Sequence, residues 1–292
     1  MNSPYPILLH LAWISLLFGW ALLWLPRSRG YQTAWGCVIM AFLLATAGFT
    51  VRMLLSQRAP ITNMYESIVW AAWGVLILAM LFEAHWKTGV VFLSALPVSI
   101  AGFILAHAQP SQFDATIRPL PPILQDQFWL FTHVTTVIFG YAAFAFAMGQ
   151  AHRVLWKQWR GNMSLEALTL PRSLQIGLML LSLGILLGGF WGKQAWGRFW
   201  AWDPKETWAL ITLLVYAALL QGHKVGWWST RGLAIGSIVA FQCVIFTWYG
   251  LNFLGGNSLH SYGWSDGGLG GMIGFALVES VFLGVTLSRR KI

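Results

Sequence analysis

Nine apolar stretches, separated by polar segments, run along the chain and constrain its fold more than any other feature. They lie at about 7–25, 35–55, 66–82, 89–107, 129–150, 173–190, 207–222, 232–254 and 270–288. Most are close to the roughly 20 residues that an α-helix needs to cross a bilayer. Only 9% of the residues are charged, whereas a soluble domain carries roughly 25%. The sequence therefore predicts an all-α fold, a polytopic integral membrane helix bundle of about eight or nine transmembrane helices.

The number of crossings depends on two of these stretches. The stretch at 207–222 is short and the one at 66–82 begins with polar residues, so eight crossings is the alternative to nine. We find no internal repeat, low-complexity tract or soluble segment in the sequence. It therefore predicts a single polytopic membrane domain over residues 1–292.

The 18 lysines and arginines are divided unevenly between the two sets of connecting segments. Twelve belong to one set: Arg27, Arg29, Lys87, Arg153, Lys157, Arg160, Arg172, Lys224, Arg231, Arg289, Arg290 and Lys291. Six belong to the other: Arg52, Arg58, Arg118, Lys193, Arg198 and Lys205. Because cytoplasmic loops carry the excess of cations, the first set is predicted to be cytoplasmic. The net charge of +9 thus reflects orientation in a lipid bilayer and predicts no nucleic-acid partner.

The two cysteines, Cys37 and Cys243, lie in separate apolar stretches and form no Cys-x-x-Cys pair. The chain is therefore expected to be neither a c-type cytochrome nor a thiol oxidoreductase of the paired-cysteine kind. Both cysteines are interpreted as small buried apolar residues.

Residues 191–208, between the sixth and seventh stretches, are unusually rich in both aromatic and charged side chains; we call them the Trp-rich segment. It contains Trp191, Lys193, Trp196, Arg198, Phe199, Trp200, Trp202, Asp203, Lys205, Glu206 and Trp208. Tryptophan is common at membrane interfaces as an anchor, but an anchor needs neither this spacing nor the embedded charges. Flat aromatic surfaces beside cations suit a large planar ligand with acidic groups at one edge, and a porphyrin has that shape.

The charged residues of the Trp-rich segment are predicted to have two different roles. Its three cations lie on the outer side, which the charge rule disfavours, so they are expected to pair with carboxylates of a ligand. Asp203 before Pro204 is typical of a helix start, with Asp203 as the N-cap and Pro204 at the first helical position. Asp203 and Glu206 are therefore interpreted as structural, and no catalytic acid–base pair is assigned.

Two of the seven histidines are expected at the membrane level of the Trp-rich segment. His133 begins the fifth stretch, and His260 lies in the segment 258–264, which is rich in Gly and Trp. Imidazole is the commonest protein ligand of haem iron, so this pair could bind iron from opposite faces of a porphyrin. The alternative is two interfacial histidines with structural hydrogen bonds. His223, at the inner end of the seventh stretch, is either an inner iron ligand or an interfacial residue.

Glu66 lies at the edge of the third stretch, where a lone carboxylate in hydrocarbon is unfavourable. Arg52 and Arg58 are on the same predicted side and are its candidate partners. A structural role is expected for Glu66.

Several of these segments together resemble a known family. The sequence Trp196-Gly197-x-x-Trp200-x-Trp202-Asp203-Pro204 resembles the "WWD" signature of haem-handling proteins in cytochrome c maturation. Its continuation to Trp208 resembles the system II cytochrome c synthase subunit of the CcsA/ResC type. Residues 58–67, 129–144 and 259–263 support this resemblance, which covers about residues 50–265.

The resemblance implies a haem-binding and haem-presenting subunit of a cytochrome c haem lyase (synthase) complex in the bacterial cytoplasmic membrane. Haem b would be carried to the outer face, with the Trp-rich segment facing the periplasm or exterior. His133 and His260 would ligate the iron, and the WWD segment would hold the porphyrin, with Trp191, Trp196, Trp200, Trp202 and Asp203 among the cofactor-binding residues. The thiols of an apocytochrome c Cys-x-x-Cys-His motif would then add to the haem vinyl groups. A separate CcsB/ResB-type subunit would be the partner.

One position departs from the family pattern. Members usually carry a histidine just after the Tyr-Ala-x-x-Leu motif at the inner end of the seventh stretch, but Gln221 stands there and His223 follows two residues later. Two residues rotate a helical side chain by about 200°. Either His223 substitutes for the missing ligand, or the inner haem site is altered or lost.

Three other functions are weighed against a synthase subunit. A haem exporter or shuttle without ligation activity is the main alternative. A di-haem electron-transfer cytochrome would need helices with two internal histidines, and no stretch has them. A purely structural scaffold would leave the Trp-rich segment unexplained.

Overall fold

The computed structural model describes residues 5–110, 112–162, 164–252 and 268–288, and these residues form a helical bundle without β-strands. The described residues contain nine α-helices: α1 Tyr5–Leu22, α2 Arg27–Ser56, α3 Met64–Trp86, α4 Val90–Ala108, α5 Gln127–Trp159, α6 Glu166–Trp196, α7 Pro204–Lys224, α8 Thr230–Trp248 and α9 Leu269–Ser288. Short 3₁₀ helices lie at Pro122–Gln125 and Gly250–Asn252. The predicted all-α fold is confirmed.

Eight of these helices are long and apolar enough to cross a membrane, so the chain is a membrane protein. The exception is α7, whose polar residues at both ends leave a shorter apolar stretch. Four helices extend at least four residues past the predicted stretches, because helical hydrogen bonding continues into polar turns. They are α2, which begins at Arg27; α3, which ends at Trp86; α5, which ends at Trp159; and α6, which runs from Glu166 to Trp196.

The bundle has two hydrophobic cores, with α5 shared between them. One core joins α1–α4 to α5, and the other joins α5–α8. Helices α5 and α6 pack closely because glycines bring their backbones together. A Cβ added to Gly140 would lie 3.0 Å from the backbone nitrogen of Leu181, and one added to Gly184 would lie 2.6 Å from Cγ2 of Val137. Small residues allow this approach between membrane helices.

The last helix, α9, packs against α8 and α5 at the edge of the bundle. Its buried residues are Glu279 and Thr286. His152 Nε2 of α5 lies 2.8 Å from the Glu279 carboxylate, and Arg231 of α8 donates to the Thr286 carbonyl at 3.3 Å. Most other side chains of α9 are exposed apolar groups, as expected for a lipid-facing helix.

Glu66 has the two partners that the sequence indicated. Its carboxylate lies 2.7 Å from Arg52 Nε and 3.3 Å from Arg58 Nη1, and all three side chains are buried. The predicted pairing of Glu66 with Arg52 and Arg58 is thus confirmed at the start of α3.

Candidate functional site

A cavity of about 250 Å³ lies at the end of the bundle where α5 and α7 begin and α6 and α8 end; we call it the site cavity. It is lined by side chains from the 61–64 turn, the first turn of α3, α5, α6, the Trp-rich segment, α7 and α8. The lining includes Thr62, Asn63, Met64, His133, Tyr141, Gly188, Gly189, Trp191, Trp196, Phe199, Trp200, Lys205, Glu206 and Trp248. The cavity therefore unites segments that are far apart in the sequence.

His133 is held in a defined orientation in the wall of this cavity. Its Nδ1 lies 2.8 Å from the carbonyl oxygen of Gly184 on α6, so Nδ1 carries the hydrogen and Nε2 the lone pair of the neutral ring. The ring packs edge-to-face with Trp191, with 5.7 Å between centroids. It also lies over Gly188, where an added Cβ would come within 2.6 Å of Cε1. Glycine is therefore needed beside the imidazole.

The tryptophans of the Trp-rich segment occupy two different environments. Trp191, Trp196 and Trp200 line the site cavity. The indole N–H of Trp200 is buried and has no hydrogen-bond partner within the described residues. Trp202 instead has a left-handed backbone, with φ 56°, and its side chain is 69% exposed away from the cavity lining.

The three cations of the Trp-rich segment also differ in position. Lys205 lines the site cavity, whereas Lys193 and Arg198 are exposed and do not contribute to its wall. Lys205 precedes the apolar part of α7, and burial lowers the pKa of its ammonium group to about 8, with Asp203 acting in the opposite direction. Burial of a cation beside aromatic rings makes an acidic ligand group a favourable neighbour.

A capping box fixes the junction between the Trp-rich segment and α7. Asp203 Oδ1 accepts a hydrogen bond from the Lys205 backbone N–H at 2.9 Å. Glu206 Oε2 accepts from the backbone N–H groups of Ala201 at 2.8 Å and Asp203 at 3.2 Å. The prediction that Asp203 caps a helix starting at Pro204 is confirmed. The Glu206 carboxylate is engaged in shaping the loop.

His223 lies at the other end of α7 and is not part of the site cavity. Its Nδ1 is 3.1 Å from the carbonyl oxygen of Trp228, and the Trp228 indole N–H donates to the Leu219 carbonyl at 2.8 Å. Gln221 is exposed. His260, the second predicted iron ligand, lies outside the described residues.

A second cavity of about 270 Å³ adjoins the first and is lined mainly by apolar side chains of α3, α4, α5, α8 and α9. Both cavities share the side chains of Ser67, Ile138, Tyr141 and Trp248. The Trp248 indole N–H donates to Ser67 Oγ at 3.0 Å within this shared lining. The two cavities thus have part of their walls in common.

Comparison with known proteins decides which family carries this arrangement. Residues 61–259, more than half of the chain, match the family described as "Cytochrome C assembly protein". The chain belongs to the cytochrome c assembly protein family. All the side chains that line the site cavity fall within the matched range. The protein therefore has a role in cytochrome c biogenesis, a process that handles haem.

Individual relatives agree with this family membership. The cytochrome c biogenesis protein CcsA of Synechococcus sp. (strain RCC307) is 32% identical over an alignment of 311 residues. The alignment covers 90% of this chain and 97% of that protein. CcsA of Guillardia theta is 31% identical over 282 residues, covering 86% and 92%. Protein NrfI of Wolinella succinogenes is 32% identical over 275 residues, covering 89% of this chain and 30% of NrfI.

Several cavity residues of this family member were not assigned to the site from the sequence. Thr62, Asn63, Met64 and Tyr141 entered the sequence analysis only within the ranges 58–67 and 129–144 that support the family resemblance. Gly188 and Gly189 carry a signal that could have been used, because paired glycines directly before an aromatic segment predict close contacts. Phe199 packs on Gly189, where an added Cβ would lie 2.4 Å from the ring.

Proposed function

We propose that this protein is the haem-binding and haem-presenting subunit of a system II cytochrome c synthase. The observation that carries the proposal is the site cavity, where an oriented imidazole, four indoles and an ammonium group line one space in a cytochrome c assembly protein. Aromatic walls suit the faces of a porphyrin, and a cation suits its carboxylates.

His133 is the proposed iron ligand on one face of the haem. The Gly184 carbonyl binds Nδ1, so the basic nitrogen is Nε2, the usual arrangement for a histidine that ligates a metal. His260, known here from the sequence alone, is the proposed ligand on the other face. We propose haem b as the species bound, since its vinyl groups are still unreacted.

Trp191, Trp196 and Trp200 are proposed to contact the porphyrin plane, and Lys205 is proposed to pair with a propionate. Large aromatic rings bury 150–250 Å² each and dominate affinity at such sites. Lys193 and Arg198 are exposed and do not line the site cavity, so Lys205 is the cation that we propose for this pairing.

The proposed reaction joins apocytochrome c to haem through thioether bonds. Each cysteine thiol of the Cys-x-x-Cys-His motif adds its S–H across a vinyl double bond, so no atom is lost. The contribution of this chain is to hold the porphyrin so that its vinyl edge meets the thiols. A CcsB/ResB-type subunit is the proposed partner. We propose a location in the bacterial cytoplasmic membrane. The distribution of cations, twelve to six, supports an orientation with the Trp-rich segment facing outward.

Absorption spectroscopy of the purified protein, co-expressed with its partner subunit, tests the haem site. We expect a low-spin bis-imidazole spectrum for the unmodified protein, and a lost or high-spin spectrum for His133→Ala and for His260→Ala. His85→Ala is the matched control, because His85 is exposed at the distant end of α3. A protein without haem, or a spectrum indifferent to both substitutions, would contradict the assignment.

A second experiment separates ligation from simple export. Haem-loaded protein is mixed with an apocytochrome c peptide containing Cys-x-x-Cys-His, with and without the partner subunit, and covalent haem is measured after denaturation. Thioether formation that requires this chain supports the synthase. Transfer of haem without covalent attachment under both conditions supports a shuttle.

A further inference from the structure

The carboxylate of Glu66, which is fully buried at the start of α3, receives hydrogen bonds from two neighbouring segments. Arg52 Nε of α2 donates at 2.7 Å, and Arg58 Nη1 donates at 3.3 Å from the turn that follows α2. Thr62 donates twice, through its backbone N–H at 2.7 Å and its hydroxyl at 2.8 Å. The Glu66 side chain therefore links α2, the turn between α2 and α3, and α3 itself.

Arg52 extends this network to two further segments. Its Nη1 donates to the carbonyl oxygen of Ala115 at 2.9 Å, in the connection between α4 and α5. Its guanidinium carbon lies 5.1 Å from the ring centre of Tyr5 and 5.3 Å from that of Tyr65. Only 4% of Arg52 and 8% of Arg58 is exposed, so the network is shielded from solvent. Charged groups in such a setting interact more strongly than they would in water.

The turn that the network holds is also a wall of the site cavity. Thr62, Asn63 and Met64 line the same cavity as the Trp-rich segment. Asn63 caps α3 by accepting from the Glu66 backbone N–H at 2.8 Å. Glu66 itself does not line the cavity, so any effect on a ligand must pass through the turn.

We propose that Glu66 is a positioning residue, which holds the 61–64 turn at the distance from the Trp-rich segment that a bound porphyrin requires. The proposal rests on the proposed function, and it adds a wall that the WWD-type motif does not include. In this arrangement the Trp-rich segment contacts the porphyrin from one side and the 61–64 turn limits its position from the other.

A role of Glu66 through its charge and a role through its position predict opposite effects of Glu66→Gln on haem affinity. The network has two guanidinium groups and one carboxylate, so removing the carboxylate increases its positive charge. Electrostatic attraction alone would then strengthen the binding of an acidic porphyrin. Loss of the hydrogen bonds to Thr62 and Arg58 would displace the turn and weaken binding. The direction of the change therefore separates the two roles.

Glu83 provides a matched control on the same helix. It is equally buried, near the last turn of α3, and its carboxylate accepts from the backbone N–H groups of Gly89 at 2.6 Å and Val91 at 3.2 Å and from the Tyr31 hydroxyl at 3.1 Å. It shapes the α3–α4 turn and does not line the site cavity. Glu83→Gln should lower stability comparably without changing the site.

The experiment is a haem titration of the detergent-purified complex with its partner subunit, followed by absorbance and combined with thermal unfolding. For Glu66→Gln we expect affinity to fall about tenfold and the spectrum to shift toward high spin. Glu83→Gln should retain the affinity and spectrum of the unmodified protein despite a lower Tm. Arg52→Lys, which keeps the charge, should weaken binding in the same direction and serves if Glu66→Gln does not fold.

The outcomes distinguish this inference from the proposed function. If the unmodified protein binds haem and both Glu66→Gln and Arg52→Lys bind it unchanged or more tightly, the positioning role is wrong while the haem site stands. Equal loss of haem in Glu66→Gln and Glu83→Gln would indicate general destabilisation and also overturn it. An unmodified protein that binds no haem contradicts the proposed function itself.

Discussion

At the scale of single residues, the position of His133 depends on the absence of a Cβ atom at Gly188. The imidazole lies over Gly188 and binds the carbonyl of Gly184, so two glycines of α6 set both its distance and its tautomer. Neither contact could be predicted from the sequence, because both depend on how closely α5 and α6 pack. The sequence predicted that the cations of the Trp-rich segment pair with a ligand. It could not predict that Lys205 lines the cavity while Lys193 is exposed.

Gly188→Ala tests this arrangement. The new methyl group would lie 2.6 Å from Cε1 of His133, so the ring must move and the proposed iron ligation should weaken. We expect reduced haem content and a shift toward a high-spin absorption spectrum. Gly36→Ala in α2 is the control, because an added Cβ there meets nothing within 4 Å. A normal spectrum for Gly188→Ala would show that the ring position is not critical.

At the scale of helices, the ends of α7 illustrate what local sequence can and cannot predict. Asp203 and Pro204 predicted the start of α7 because capping chemistry is local. The extra polar turns of α5 and α6 were missed because apolar periodicity ends before the helix does. The sequence also did not predict that the Trp202 side chain faces away from the site cavity. That orientation depends on a left-handed backbone, which tryptophan does not favour.

Asp203→Ala should uncouple the Trp-rich segment from α7. Loss of an N-cap costs about 1 kcal/mol, and here it also releases the backbone of the segment that carries Trp200. We expect a lower Tm together with reduced haem occupancy. Ser229→Ala removes the N-cap of α8, where Ser229 Oγ accepts from the Gly232 N–H at 3.4 Å. That control should lower Tm with haem occupancy retained; equal occupancy in both variants would refute the coupling.

At the scale of the whole molecule, the path of α7 decides whether the chain crosses the membrane eight or nine times. Composition supports eight crossings. However, α7 has 21 residues, about 31 Å at the α-helical rise, and runs from the site cavity at Lys205 to the distant end at His223. Composition could predict the bundle but not this path, because the polar residues at both ends of α7 lower its mean hydropathy.

Labelling of single cysteines tests the path of α7 in a variant without Cys37 and Cys243. Arg198→Cys and Trp227→Cys place thiols at exposed positions beyond the two ends of α7. If α7 crosses, an impermeant maleimide added to intact cells should label Arg198→Cys, whereas Trp227→Cys should react only after permeabilisation. Labelling of both from the same side would show that α7 does not cross.

The pairing of His152 with Glu279 has a consequence for the order in which the protein is built. Glu279 lies near the middle of α9, among side chains that mostly face lipid, where a carboxylate strongly opposes insertion. The ribosome makes α5 before α9, so His152 is already in the membrane when Glu279 arrives. The last helix can therefore insert beside a bundle that already contains His152, the partner of Glu279.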